Sequence, residues 1–144
     1  MGVTGSLIIS DIETVAAVNP LNMPAADTVI TKVLDAVTMT HLHVIIMGGT
    51  YEDTAEHYLE NPVFMLEPEE EWLWVYAVPD DLVARFAQLT DEELANAVQA
   101  FQRVEEVRQW YVSVTWMRQF FTDVRALCAR AIASEQQVFL YCML

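Results

Sequence analysis

The run of residues 72–78 constrains the fold most, because it alternates aromatic with aliphatic side chains and is therefore apolar on both faces of an extended chain. Such a composition is typical of a strand that is buried on both sides. A second apolar run, residues 138–142, predicts another strand near the end of the sequence. Because the backbone groups of a buried strand need hydrogen-bond partners, we expect these two strands to pair.

Helical signals dominate the rest of the second half of the chain. Pro79 at a first helical position, followed by two aspartates, predicts the start of one helix. Thr90 and Glu93 form a capping box that begins a second helix, which we expect to end near Gln109. From about Thr115 a third helix carries a continuous apolar stripe. The stripe consists of Met117, Phe120, Phe121, Val124, Leu127, Cys128 and Ala131.

The first half gives shorter and less regular signals. Residues 3–11 are apolar and β-branched and predict a short strand. Asp27 or Thr28 is placed to cap a helix. Its apolar positions would be Ile30, Val33, Leu34 and Val37. Residues 41–47 either continue that helix or form a buried strand, and Thr50 is placed to cap a short helix that an Asn-Pro pair ends.

Length and composition predict one globular domain over residues 1–144, of the α+β class, predominantly helical with a small sheet formed near 72–78 and 138–142. With 54% apolar residues, the chain can build a core without a metal or a disulfide. Cys128 and Cys142 are expected to be buried free thiols, with a bridge between them as the alternative. The chain has no long uncharged apolar stretch and no leader-like start, so we expect a cytoplasmic protein.

The charge of the chain is strongly negative and unevenly distributed. The net charge is −14, and no lysine or arginine occurs between Lys32 and Arg85, an interval that holds eleven acidic residues. A field of one sign repels nucleic acid and anionic membranes and speeds the encounter with a basic protein. We therefore expect a basic protein partner, no direct nucleic-acid binding and no membrane binding.

The predicted partner-binding residues are the carboxylates of the short helix after Thr50 and of the turn that follows it. They are Glu52, Asp53, Glu56, Glu60, Glu67, Glu69, Glu70 and Glu71. A solvated surface without a binding role is the alternative interpretation of the same residues.

Motifs that would indicate catalysis or cofactor binding are absent from the sequence. It contains no glycine-rich phosphate loop, no paired-cysteine motif and no nucleophile elbow, so we predict no catalytic residues and no cofactor. His41 and His43 would share a face if their segment were a strand, and His57 lies among carboxylates. This spacing leaves open a metal site and a small metal-dependent enzyme.

Aromatic side chains offer one further candidate surface. They are Trp72, Trp74, Tyr76, Trp110, Tyr111 and Trp116. Most are expected to line the core, and the alternative is a groove around Trp110 and Tyr111 that binds a small molecule or a protein.

Four segments of the second half, 78–86, 89–94, 124–131 and 138–141, follow a layout of two helices joined by a capped turn, a long helix and a closing apolar strand. This layout resembles that of small, acidic, uncharacterised bacterial proteins, some of which are similar to the immunity partners of bacterial toxins. The resemblance transfers no functional residue. It implies a protein that neutralises a basic toxin or effector. A nucleic-acid mimic that inhibits a nuclease or defence complex, and a homodimer formed through an apolar patch, are the alternatives.

Overall fold

The strands form one antiparallel sheet in the computed structural model, which describes residues 4–11, 14, 23–24, 27–31, 33–60, 62, 64–66 and 73–143. Within that part of the chain the sheet has five strands in the order β2-β1-β5-β4-β3. The strands are Thr4–Ser10 (β1), Thr28–Thr31 (β2), Phe64–Leu66 (β3), Leu73–Ala77 (β4) and Gln137–Met143 (β5). The α+β class is confirmed, as are the strand near 72–78, the strand near 138–142 and the pairing between them.

Six α-helices and one π-helical turn complete the described structure. They are Ala36–Met47 (α1), Tyr51–Ala55 (α2), the π-helical turn Glu56–Glu60, Asp80–Ala87 (α3), Asp91–Gln102 (α4), Glu105–Arg108 (α5) and Val114–Ala133 (α6). Local side-chain caps explain where several of them begin. The hydroxyls of Thr50, Thr90 and Ser113 each accept a hydrogen bond from the backbone three residues ahead.

The main core lies between the helices and one face of the sheet. Leu7 and Ile9 of β1 and Leu140 of β5 point to this face and pack with residues of α1, α3, α4, α5 and α6. All seven residues of the predicted α6 stripe are buried, which confirms that helix and its inward face. A small second cluster occupies the opposite face of the sheet. It contains Ile8, Val75, Phe139 and Tyr141, with Met23 and Ala77 packed against it.

Gly5 has a packing role where β1 passes the segment before α1. A Cβ atom at this position would lie 2.1 Å from the carbonyl oxygen of Leu34, closer than any two such atoms can approach. Glycine therefore allows the sheet and the start of α1 to approach each other directly.

Three expectations from the sequence are wrong. Residues 28–31 form the edge strand β2, paired with β1, and not a helix. The helix begins only at Ala36, because Asp35 caps it by accepting a hydrogen bond from the Thr38 N–H. The helix that begins after Thr90 ends at Gln102, and a separate short helix, α5, brings Val107 into the core. Pro79 is the residue before α3 and not its first helical residue.

Two open questions are settled by the structure. Residues 41–47 are helical and belong to α1. Cys128 and Cys142 are free and buried, and burial raises the pKa of each thiol to about 12. Among the described residues, no helix is both long and apolar enough to cross a bilayer.

Candidate functional site

The first three predicted partner-binding residues lie on one short helical segment. Glu52 and Asp53 are in the first turn of α2, and Glu56 begins the π-helical turn; all three side chains are exposed. Glu60 ends that turn. The remaining predicted residues, Glu67, Glu69, Glu70 and Glu71, lie outside the described residues.

The π-helical turn is attached to the body of the protein by two inward-pointing side chains. His57 Nε2 lies 2.7 Å from the carbonyl oxygen of Ala77, at the end of β4, and therefore donates a hydrogen bond to it. The side chain of Tyr58 is fully buried, and its hydroxyl lies 2.8 Å from His43 Nδ1 on α1. A π-helical turn closes its hydrogen bonds over five residues, one more than an α-helical turn. Here it directs His57 and Tyr58 inward while Glu56 stays exposed.

The charge of Asp81 reaches this contact from the first turn of α3. Burial lowers the pKa of His43, and the charge of Asp81 opposes that change. Burial, and then Asp81, raises the pKa of the Tyr58 hydroxyl. Since these shifts keep both groups neutral near pH 7, the hydrogen bond between them joins two neutral side chains and serves to hold the turn in place.

The histidines are therefore not arranged as the metal hypothesis required. On a helix, His41 and His43 point in different directions. His41 packs against the Tyr51 ring at 4.6 Å and lies 3.4 Å from a carboxylate oxygen of Glu106. Among the described residues, no group of three or more histidines, cysteines and carboxylates is arranged to hold a metal ion.

We group five exposed carboxylates of this part of the chain, Glu52, Asp53, Glu56, Asp80 and Asp81, under the name acidic surface. The contact of His57 with Ala77 brings the π-helical turn next to the chain that leads into α3. The two aspartates are exposed in the first turn of α3. Sequence reasoning assigned them only to the start of a helix. Their position within the interval without lysine or arginine was the signal that they could join the acidic surface.

Two acidic residues of α4 are paired with arginines. Arg85 forms an ion pair with Glu93, and Arg125 forms one with Asp91, with an N–O distance of 3.0 Å. By contrast, Glu52, Asp53, Asp80 and Asp81 form no ion pair with any residue that the structure describes. These four carboxylates of the acidic surface are therefore not neutralised by any cation that the structure describes.

The aromatic candidates separate into two groups. Tyr76 is buried in the main core and Trp74 packs against it, whereas Trp72 lies outside the described residues. Trp110, Tyr111 and Trp116 are exposed around the connection between α5 and α6. A cavity of about 300 Å³ adjoins Tyr111, at the place where the sequence predicted a groove.

The chain matches no known protein family, and neither a curated protein sequence nor a solved structure matches it. The similarity to immunity proteins therefore stays a prediction.

Proposed function

We propose that the protein binds a basic protein through the acidic surface and thereby neutralises it. The observation that carries the proposal is the exposure of these carboxylates in the first turns of α2 and α3 and at the start of the π-helical turn, within an interval that holds no lysine or arginine. In its most specific form, the proposal is that the partner is a toxin or effector and that this chain is its immunity protein.

Electrostatics and rigidity both support a binding role. Carboxylates of one sign raise the rate at which an oppositely charged protein is encountered, and they disfavour partners of the same sign. The hydrogen bonds of His57 and Tyr58 fix the backbone that carries Glu56, so little conformational entropy is lost on docking. The acidic surface therefore supplies both steering and a preorganised contact.

The first experiment is capture of the tagged full-length chain from its native lysate at low and high salt, followed by mass spectrometry. We expect one dominant basic protein whose capture weakens as salt rises. The purified pair is then measured with a surface variant, Glu52→Gln, Asp53→Asn and Asp80→Asn. A control variant, Glu92→Gln, Asp123→Asn and Glu135→Gln, removes the same charge at exposed positions outside the acidic surface.

The surface variant should bind about tenfold more weakly or worse, and the control should bind almost as the parent does. Equal losses in both variants would show that net charge alone drives association, and no captured partner at either salt concentration would contradict the proposal. Competition with duplex DNA or RNA for the captured protein tests the nucleic-acid mimic, because a mimic occupies the nucleic-acid site of its target.

A further inference from the structure

The connection between α5 and α6 exposes an unusual concentration of large apolar side chains. Seven such side chains are exposed among the described residues, and four of them are Trp110, Tyr111, Val114 and Trp116. Single exposed apolar residues are ordinary, but a group of this kind is typical of an interaction surface. We name these four residues the aromatic patch.

The aromatic patch is held in one conformation by its surroundings. Gln102 Nε2 donates to the Val112 carbonyl at 3.4 Å, the Trp116 N–H donates to Ser113 Oγ at 3.0 Å, and the Trp116 ring stacks on Phe120 with centroids 5.5 Å apart. Tyr111 has φ of 51° and its side chain is 93% exposed. A left-handed conformation at a tyrosine is unfavourable, and no described residue covers the ring that it presents to solvent.

The charges around the aromatic patch are of both signs and are not matched within the chain. Glu105 and Arg108 are exposed and stand three residues apart on α5, so they share one face of that helix. Neither forms an ion pair with a described residue, and the same is true of Arg103 and Arg118. Three arginines disfavour a basic partner here, although the chain as a whole has a net charge of −14.

We propose that the aromatic patch is the interface between two copies of this chain, related by a two-fold axis. In such an interface every contact between two different residues occurs twice, once in each direction, so the surface must be complementary to itself. Two copies of α5 that run antiparallel place Glu105 of one opposite Arg108 of the other, with the aromatic rings in the centre. The cavity beside Tyr111, lined by Gln102, Val107, Arg108 and Val112, then receives an aromatic side chain of the second copy.

The proposal does not depend on the proposed function, because none of the residues that carry it belongs to the acidic surface. α5 uses a different side chain, Glu106, to meet His41 beside α2, while Glu105 and Arg108 point to solvent.

Sedimentation equilibrium of the full-length chain over a range of concentrations tests the proposal. We expect a mass of twice 16.4 kDa at high concentration. Arg108→Glu alone and Glu105→Arg alone should each raise the dimer dissociation constant about tenfold or more, since each creates like charges at two symmetric positions. The double variant should restore the parental dissociation constant.

Tyr111→Gly separates an interface role from a structural one. Glycine accepts the left-handed conformation, so the melting temperature of the monomer should not fall, whereas dimerisation should weaken. A parent chain that stays monomeric up to its solubility limit overturns the proposal. A dimer whose dissociation constant none of these variants changes also overturns it. The proposal is wrong as well if the parent is monomeric and Tyr111→Gly instead loses the binding of a different captured protein.

Discussion

At the scale of single residues, the hydrogen bond between Tyr58 and His43 decides how the π-helical turn is held. The Tyr58 side chain is fully buried, and its hydroxyl lies 2.8 Å from His43 Nδ1. A buried polar group that loses its partner costs the full free energy of its desolvation. We therefore expect Tyr58→Phe to lower the free energy of unfolding at pH 7 by about 1–2 kcal/mol, as measured by urea denaturation.

Tyr111→Phe is the matched control for this change. The side chain of Tyr111 is almost fully exposed and its hydroxyl has no described partner, so its removal should leave stability unchanged. Equal effects of the two substitutions would mean that the His43 contact contributes nothing to stability.

The lowered pKa of His43 predicts a dependence of stability on pH. Because burial lowers this pKa below its ordinary value of 6.5, the unfolded chain takes up a proton before the folded chain does as the pH falls. The stabilisation from neutral His43 is therefore complete above pH 6.5 and is lost as the pH falls from 6.5 through the lower pKa of the folded state.

His43→Gln keeps a hydrogen-bonding group without a titration in this range. Urea denaturation at several values between pH 5 and 7.5 should show a steeper loss of stability toward acid for the parent chain than for this variant. Parallel curves would show that His43 titrates alike in the folded and unfolded chains.

His43 also shows why such contacts are not evident in a sequence. The presence of three histidines was plain, but their partners depend on how α1 packs against the π-helical turn and β4. Tyr58 is fifteen residues from His43, and Ala77 is twenty residues from His57. The spacing of His41 and His43 would put them on one face of a strand, and the observed helix separates them.

At the scale of helices and strands, features set by neighbouring residues were predicted well. The capping box of Thr90 and Glu93 and the stripe of α6 both occur as expected, because caps and helical periodicity depend on residues within about one turn of one another. β2 is not evident in the sequence because its four residues are extended only through pairing with residues of β1 that lie 20 to 26 positions earlier.

The cap of α4 predicts a second dependence on pH, at lower values. The hydrogen bond from Arg85, and then that from the Thr90 N–H, lowers the pKa of Glu93 to about 2. Since the pKa in the unfolded chain is higher, Glu93 stabilises the fold above about pH 4.5, and this contribution is lost as the pH falls toward 2.

Glu93→Gln should therefore be less stable than the parent chain at neutral pH, with a difference that shrinks as the pH falls from about 4.5. Thermal melts from pH 2 to 7 measure this difference. Glu92→Gln, also in the first turn of α4 but without an ion pair to a described residue, is the control and should show a smaller effect. A difference independent of pH would contradict the assigned role of the carboxylate.

The approach of β1 to the segment before α1 predicts a strong effect of Gly5→Ala. The added methyl group would lie 2.1 Å from a backbone oxygen of Leu34, which no side-chain rotation can relieve. We expect a loss of about 1–3 kcal/mol in the free energy of unfolding, measured by urea denaturation. Stability equal to that of the parent chain would show that β1 and this segment can separate without cost.

At the scale of the whole molecule, the distribution of charge could be predicted from the sequence, but its spatial arrangement only in part. The interval without lysine or arginine indicated that Glu52, Asp53 and Glu56 belong to an acidic binding surface. It could not show that Asp80 and Asp81 join them, because that depends on the contact of the π-helical turn with the end of β4. The aromatic patch was likewise predicted as a pair of residues, and its extent follows from the packing of α5 and α6.

Concentrated negative charge also predicts how the fold responds to salt. Like charges that are not paired repel one another more strongly in the folded chain than in the extended one, and salt screens this repulsion. Only three ion pairs occur among the described residues, so little favourable electrostatic energy is lost when salt is added. We therefore expect the melting temperature to rise as sodium chloride increases from about 0.01 M to 0.15 M, where the Debye length falls from about 30 to 8 Å. Sodium chloride is the suitable salt because sulfate would also strengthen apolar burial. A melting temperature that falls with salt would mean that attractive pairs outweigh the repulsion within the acidic surface.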